Sequence, residues 1–165
     1  MTESSESRVL TWVKKRLRNV YHLLADENIF GTLSIERSLD HHALASAEGL
    51  TWYFSYSSFV NPWISIWTDH RELAAIFEGN RIGSGIVDFL DGRKYLWGRE
   101  NQYLPAWEFK TSNGISLLST KLISGRRRVF GEVEIKNTGE RFPEALLLCL
   151  LGGYLLTLPE TSRKV

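Results

Sequence analysis

The residues best suited to chemistry in this chain are cations gathered in two runs. Lys14, Lys15, Arg16 and Arg18 form one, and Arg126-Arg127-Arg128 follows Gly125 to form the other. A guanidinium fork holds a phosphate bidentately, and a lysine ammonium adds a point charge beside it. Lys121 precedes the arginine triplet and Lys110 lies on the preceding hairpin strand. The expected phosphate-binding set is therefore Lys14, Lys15, Arg16, Arg18, Lys110, Lys121, Arg126, Arg127 and Arg128. Arg8 joins the first run as a further cation beside an apolar stripe, with Trp12 and Tyr21 as typical interfacial side chains. Five such cations at an anionic bilayer would contribute roughly 5 kcal/mol before losses, at about 1 kcal/mol each. Both runs have a plainer reading. The triplet suits a solvated hairpin tip, and the first run suits the water-facing side of a packed helix.

The other polar residues point to no reaction. His41, His42, His70 and Asp69 lack the spacing of a metal site such as HExxH. The single cysteine, Cys149, allows neither a disulfide framework nor a cysteine-based zinc site. Gly83-Ser84-Gly85 has no third glycine and no following helix, so it is not a dinucleotide fingerprint. Asp88 and Asp91 near Arg93 define no glycosidase pair, and no nucleophile stands beside a base in a known context. The expectation is a non-enzymatic protein with no cofactor and no metal. A formal net charge of +1 argues against nucleic acid, and strand packing accounts for most of the six tryptophans.

The elements that must position these cations fall into three zones. Ser7 to Ala25 spaces Val9, Val13, Leu17, Val20, Tyr21 and Leu24 as a helix does, with Ser7 as N-cap. Residues 1–28 thus read as a basic amphipathic helix followed by the polar break Asp26-Glu27-Asn28. Ile29 to Lys136 reads as strands and turns. Leu50, Trp52, Phe54, Tyr56 and Val60 alternate with Thr51, Ser55 and Ser57 at period two. Arg71 to Glu78 is read as a strand. Asn113-Gly114 is a hairpin signal, read as a type I′ turn with positive φ at both positions. Further turns are read at Glu48-Gly49, Gly79-Asn80, Asp91-Gly92, Ser124-Gly125 and Thr138-Gly139, so the zone is an antiparallel meander.

The third zone is the tail. Ala145 to Leu158 is apolar except for Gly152, Gly153 and Thr157. As a helix it would be roughly 21 Å long at 1.5 Å per residue, short of a bilayer core of about 30 Å. The run is read as a helix, 144–158, buried on every side within a domain of residues 29–165. The competing reading ends the helix at the glycines and makes YLLTL a strand.

A long antiparallel meander ending in an apolar helix resembles the tubby C-terminal-like fold of tubby proteins, phospholipid scramblases and the LURP-one-related family. The segments that carry the likeness are FGTLSIE, AWEFKTSNGISLLSTKL and RRVFGEVEIKNTGERFPEALLLCLLGGYLL. The resemblance implies a mainly β, α+β fold: a closed antiparallel β-barrel wrapped around a central hydrophobic C-terminal helix. The N-terminal amphipathic helix would be added to it. It also implies binding of phosphoinositide head groups by basic barrel residues. The acid-rich calcium segment of scramblases and their palmitoylated cysteine cluster have no counterpart here. The expected function is peripheral association with anionic phospholipid at a membrane surface. The alternative is a soluble protein–protein module. The polar, acid-bearing start MTESSESRVL lacks the order of a secretory signal, so a cytoplasmic location is expected, with association at the inner membrane face following from the lipid reading.

Overall fold

The computed structural model describes residues 7–16, 18–36, 42–58, 61–80, 83–125, 128–136 and 144–162. Twelve strands follow one another: β1 (Arg8–Lys14), β2 (Val20–Ala25), β3 (Asn28–Ile35), β4 (Ala43–Ala47), β5 (Leu50–Ser58) and β6 (Pro62–Thr68). They continue as β7 (Leu73–Gly79), β8 (Gly85–Asp88), β9 (Lys94–Arg99), β10 (Ala106–Thr111), β11 (Ser116–Leu122) and β12 (Val129–Ile135). Each pairs antiparallel with the next, and β1 pairs with β12, closing a barrel. Helix α1 (Ala145–Ser162) ends the described chain.

Residues 7–25 are not the expected helix: they supply β1 and β2. Among the described residues of the stripe chosen at helical spacing only Tyr21 is buried: Val9 is 53% exposed and Val13, Val20 and Leu24 are half-buried, while Leu10, Trp12 and Leu23 outside it are fully buried. Two period-two strands explain those burials, and Val9, Thr11, Val13 and Val20 suit extended backbone. The pairing Leu10↔Val133 supplies what a local reading lacks, because the partner strand lies at the far end of the sequence. The division after residue 28 goes with the helix: β1 and β2 are staves of the same barrel as β3 to β12.

Elsewhere alternation largely holds, although Leu50 at the start of β5 is 52% exposed, Trp52 and Tyr56 are half-buried, and Val60 lies outside the described residues. Phe54 on β5, Ile64 and Ile66 on β6, and Ala75 and Phe77 on β7 are buried. Glu48-Gly49 has positive φ at both residues, 48° and 78°, and joins β4 to β5 in two residues. Asn113-Gly114 also makes a hairpin, but only Gly114 has positive φ, 85°, and the register shifts between Phe109 and Lys110. The type I′ expectation fails there because the four-residue connection 112–115 needs a left-handed residue only at its third position, Gly114.

α1 runs through Gly152 and Gly153 to Ser162, so YLLTL is helical and the helix outlasts its expected end. Leu147 to Leu156, apart from the two glycines, all lie in the hydrophobic core. Neighbours of α1 come from many strands. The Tyr154 ring meets Phe54 of β5 at 5.3 Å. A Cβ on Gly153 would meet the Trp12 ring of β1, and one on Gly152 would meet Trp97, Phe109 and Thr120. Side chains of the barrel, mostly aromatic, thus approach the helix closely at both glycines.

A closed meander alternates its connections between two rims. The β2–β3, β4–β5, β6–β7, β8–β9 and β10–β11 connections, two to five residues each, form one, the turn rim. The β1–β2, β3–β4, β5–β6, β7–β8, β9–β10 and β11–β12 connections, three to seven residues each, form the other, the loop rim. α1 starts from the turn rim, where Arg93 pairs with Glu144.

Candidate anion-binding rim

The two cation runs, far apart in sequence, become neighbours when the barrel closes. β1 ends and β12 begins at the loop rim, and the Lys14 N–H donates to the Arg128 carbonyl at 2.8 Å. The Lys15 N–H then donates to the Val20 carbonyl at 2.8 Å, which turns the chain from β1 into β2. A register shift between Trp12 and Val13 marks a bulge against Phe130, and Arg128 just before it has φ 70°. A bulge twists a strand end and re-aims its side chains. A non-glycine residue with this φ is held by its surroundings.

Lys15, Arg16, Arg18 and Arg128 are exposed. None of the four makes an ion pair with a described carboxylate among the described residues. Lys14 is half-buried, with its ammonium 5.7 Å from the Tyr21 ring centre. Lys121 stands on the same rim and meets Glu132 at 3.8 Å. Arg126 and Arg127 lie outside the described residues. Arg99, which the sequence reading missed, is exposed at this rim and lies over the Trp107 ring at 5.4 Å. Its signal was positional: it ends β9 on the rim where β1 also ends.

Lys110 leaves the expected set, and Arg8 leaves the first run. Lys110 sits near the turn rim and pairs with Glu108 at 3.0 Å. Arg8 begins β1 at that same rim and lies over the Phe30 ring at 4.8 Å. A helix would have carried Arg8 with the other cations; an extended strand carries it to the opposite end.

The described part of the loop rim thus carries Lys14, Lys15, Arg16, Arg18, Arg99, Lys121 and Arg128 against Glu36, Glu78, Glu100 and Glu132. The turn rim carries Asp26, Glu27, Glu48, Asp69, Glu72, Asp88, Asp91 and Glu144 against Arg8, Arg71, Arg93, Lys94, Lys110 and Lys136. Among the described residues charge is therefore polarised along the barrel axis.

No metal-ligating cluster forms among the described residues. His70 and Asp69 meet at 3.6 Å as an exposed pair. Cys149 is fully buried, and burial pushes its thiol up to about 12, so it is no nucleophile. Among the described residues no helix is long and apolar enough to cross a membrane. No family model, curated protein or solved structure matches this chain.

Proposed function

We propose that this is a non-enzymatic binding module whose loop rim docks on anionic phospholipid head groups at the cytoplasmic face of a membrane. One observation carries the reading: barrel closure sets the Lys14–Arg18 turn against Arg128, joined by the Lys14–Arg128 backbone hydrogen bond. Clustered, exposed cations without carboxylate partners are what a phosphate-rich surface attracts.

The scaffold is inferred to be tubby C-terminal-like, with α1 filling the lumen. Eight strands already leave an interior just wide enough for side chains, and twelve leave more. A helix about 10–12 Å across would fill that space. Its contacts with β1, β5, β9, β10 and β11, and the burial of residues 147–157, support this.

Vesicle co-flotation at low and moderate salt tests the function. Phosphatidylserine-containing vesicles are expected to carry the protein at low salt and release it as salt rises; pure phosphatidylcholine vesicles are not expected to carry it. The triple variant Lys15→Ala, Arg16→Ala, Arg18→Ala should lose roughly 3 kcal/mol, about a hundredfold in partitioning. Failure to float with any lipid at low salt would remove the lipid reading.

The protein–protein reading would then lead, on an observation at the opposite rim. Ile29, Leu50, Leu90 and Ile115 are exposed there beside Asp26, Glu27, Glu48 and Asp91. That mixture suits a basic amphipathic protein segment.

A further inference from the structure

We propose that the β9–β10 connection is a membrane-inserting wedge, in which Tyr103 and Leu104 enter the boundary between head groups and acyl chains. The inference rests on the lipid reading above and adds the element that touches the apolar layer. Tyr103 is 84% exposed, the most exposed of the large hydrophobic side chains described, and Leu104 beside it is 52% exposed.

The connection holds these side chains outward by construction. The Asn101 side-chain oxygen accepts from the Tyr103 N–H at 2.8 Å and the Leu104 N–H at 3.0 Å. An Asn accepting from the backbone just ahead of it fixes a turn locally. The Glu100 N–H donates to the Ala106 carbonyl at 2.9 Å, closing the base. The Leu122 N–H donates to the Pro105 carbonyl at 2.9 Å, tying the base to β11. An ordered backbone that presents two adjacent apolar side chains to water gains nothing from them in the free protein.

The surroundings identify the occupant. Going round the loop rim from the β1–β2 turn, the next connections are β11–β12 and then β9–β10. The wedge therefore adjoins the connection that contains Arg128. Its two flanks are cationic: Arg99 pairs with Trp107 across the base on one side, and Lys121 pairs with Ala106 on the other. The nearest acid, Glu100, accepts the Ser119 hydroxyl at 2.8 Å. Apolar tips between cations match an anionic bilayer, where phosphate lies above and hydrocarbon below. Tyrosine, with an apolar ring and a polar hydroxyl, belongs at that boundary. The exposed aliphatics of the turn rim lie among carboxylates, which such a surface repels.

The test labels the full chain at Leu104→Cys with a polarity-sensitive fluorophore, and separately at Leu50→Cys on the turn rim. Cys149 is fully buried and its thiol is pushed up to about 12, so the introduced thiol reacts alone. With phosphatidylserine-containing vesicles, the probe at 104 should shift to the blue and be quenched by bromine-labelled acyl chains, while the probe at 50 should do neither. Tyr103→Ser combined with Leu104→Ser should weaken vesicle partitioning roughly 10- to 100-fold and leave its salt dependence unchanged. If the unlabelled protein floats but the probe at 104 stays in water, the wedge is overturned and the electrostatic docking stands. If the unlabelled protein does not float, the lipid reading fails and the wedge fails with it.

Discussion

Glu144 keeps only 7% of its side-chain surface exposed, at the first turn of α1. Burial of a carboxylate is costly without partners, and two are supplied. Arg93 pairs with it, and the Tyr95 hydroxyl donates to it at 3.0 Å. Arg93 also reaches Asp91 at 2.7 Å, so one guanidinium joins the β8–β9 connection to the helix start. Removing one member of a buried pair leaves the other uncompensated. Arg93 is itself 47% exposed, which discounts the effect. Arg93→Ala is expected to destabilise the fold, read as a lower midpoint in chemical denaturation. Glu144→Gln should cost less, because an amide keeps hydrogen-bonding capacity and leaves no buried charge behind. Equal midpoints for wild type and Arg93→Ala would show the contact to be dispensable. The sequence exposed none of this: Asp88, Asp91 and Arg93 were legible as a charged turn, but their buried partner lies on another element.

At the scale of elements, the contact between α1 and β1 sets a sharp contrast between adjacent glycines. A Cβ on Gly153 would lie 2.4 Å from the Trp12 ring, and Trp12 is fully buried with no room to withdraw. A Cβ on Gly152 would meet its nearest neighbour, the Thr120 hydroxyl, at 3.2 Å. Alanine gains about 1 kcal/mol over glycine in helix propensity, whereas overpacking costs about 1–3 kcal/mol. Gly152→Ala is therefore expected to be near neutral and Gly153→Ala to be destabilising, both measured by thermal or denaturant unfolding. The reverse order would mean that α1 is rotated from the register described. These elements also mark how far the sequence could be read. The apolar tail and the alternation of β5 are local patterns, so both were legible. β1 and β2 were not, because apolar residues in RVLTWVK and VYHLLA fit either period, and only the distant β12 decides between them. The candidate site shares that limit. Each cation run was visible as a run, but its neighbour across the seam was not. Strand length alone sends Lys110 and Arg8 to the other rim.

For the whole molecule, the seam between β1 and β12 is both the structural closure and the place where the cations meet. Removing residues 1–28 would be the natural way to excise a separate basic anchor. In a closed barrel the same deletion strips two adjacent staves and leaves the edges of β3 and β12 unpaired. It also removes Leu10, Trp12, Tyr21 and Leu23 from the core. Burial of each such side chain contributes about 1.5–3 kcal/mol, so their combined loss rivals the whole stability of a typical domain, about 5–15 kcal/mol. Unpaired edges add a template for aggregation. The fragment 29–165 is expected to lose its near-ultraviolet circular dichroism and its cooperative thermal transition, and to aggregate on expression. Loss of vesicle binding in that fragment would then say nothing about the cations, which is why side-chain replacement rather than truncation is the sound probe of the loop rim. A fragment that unfolds cooperatively with native-like near-ultraviolet signal would instead mean that β3 to β12 close without β1 and β2. The cation cluster would then be an appendage of the fold and not a product of its closure.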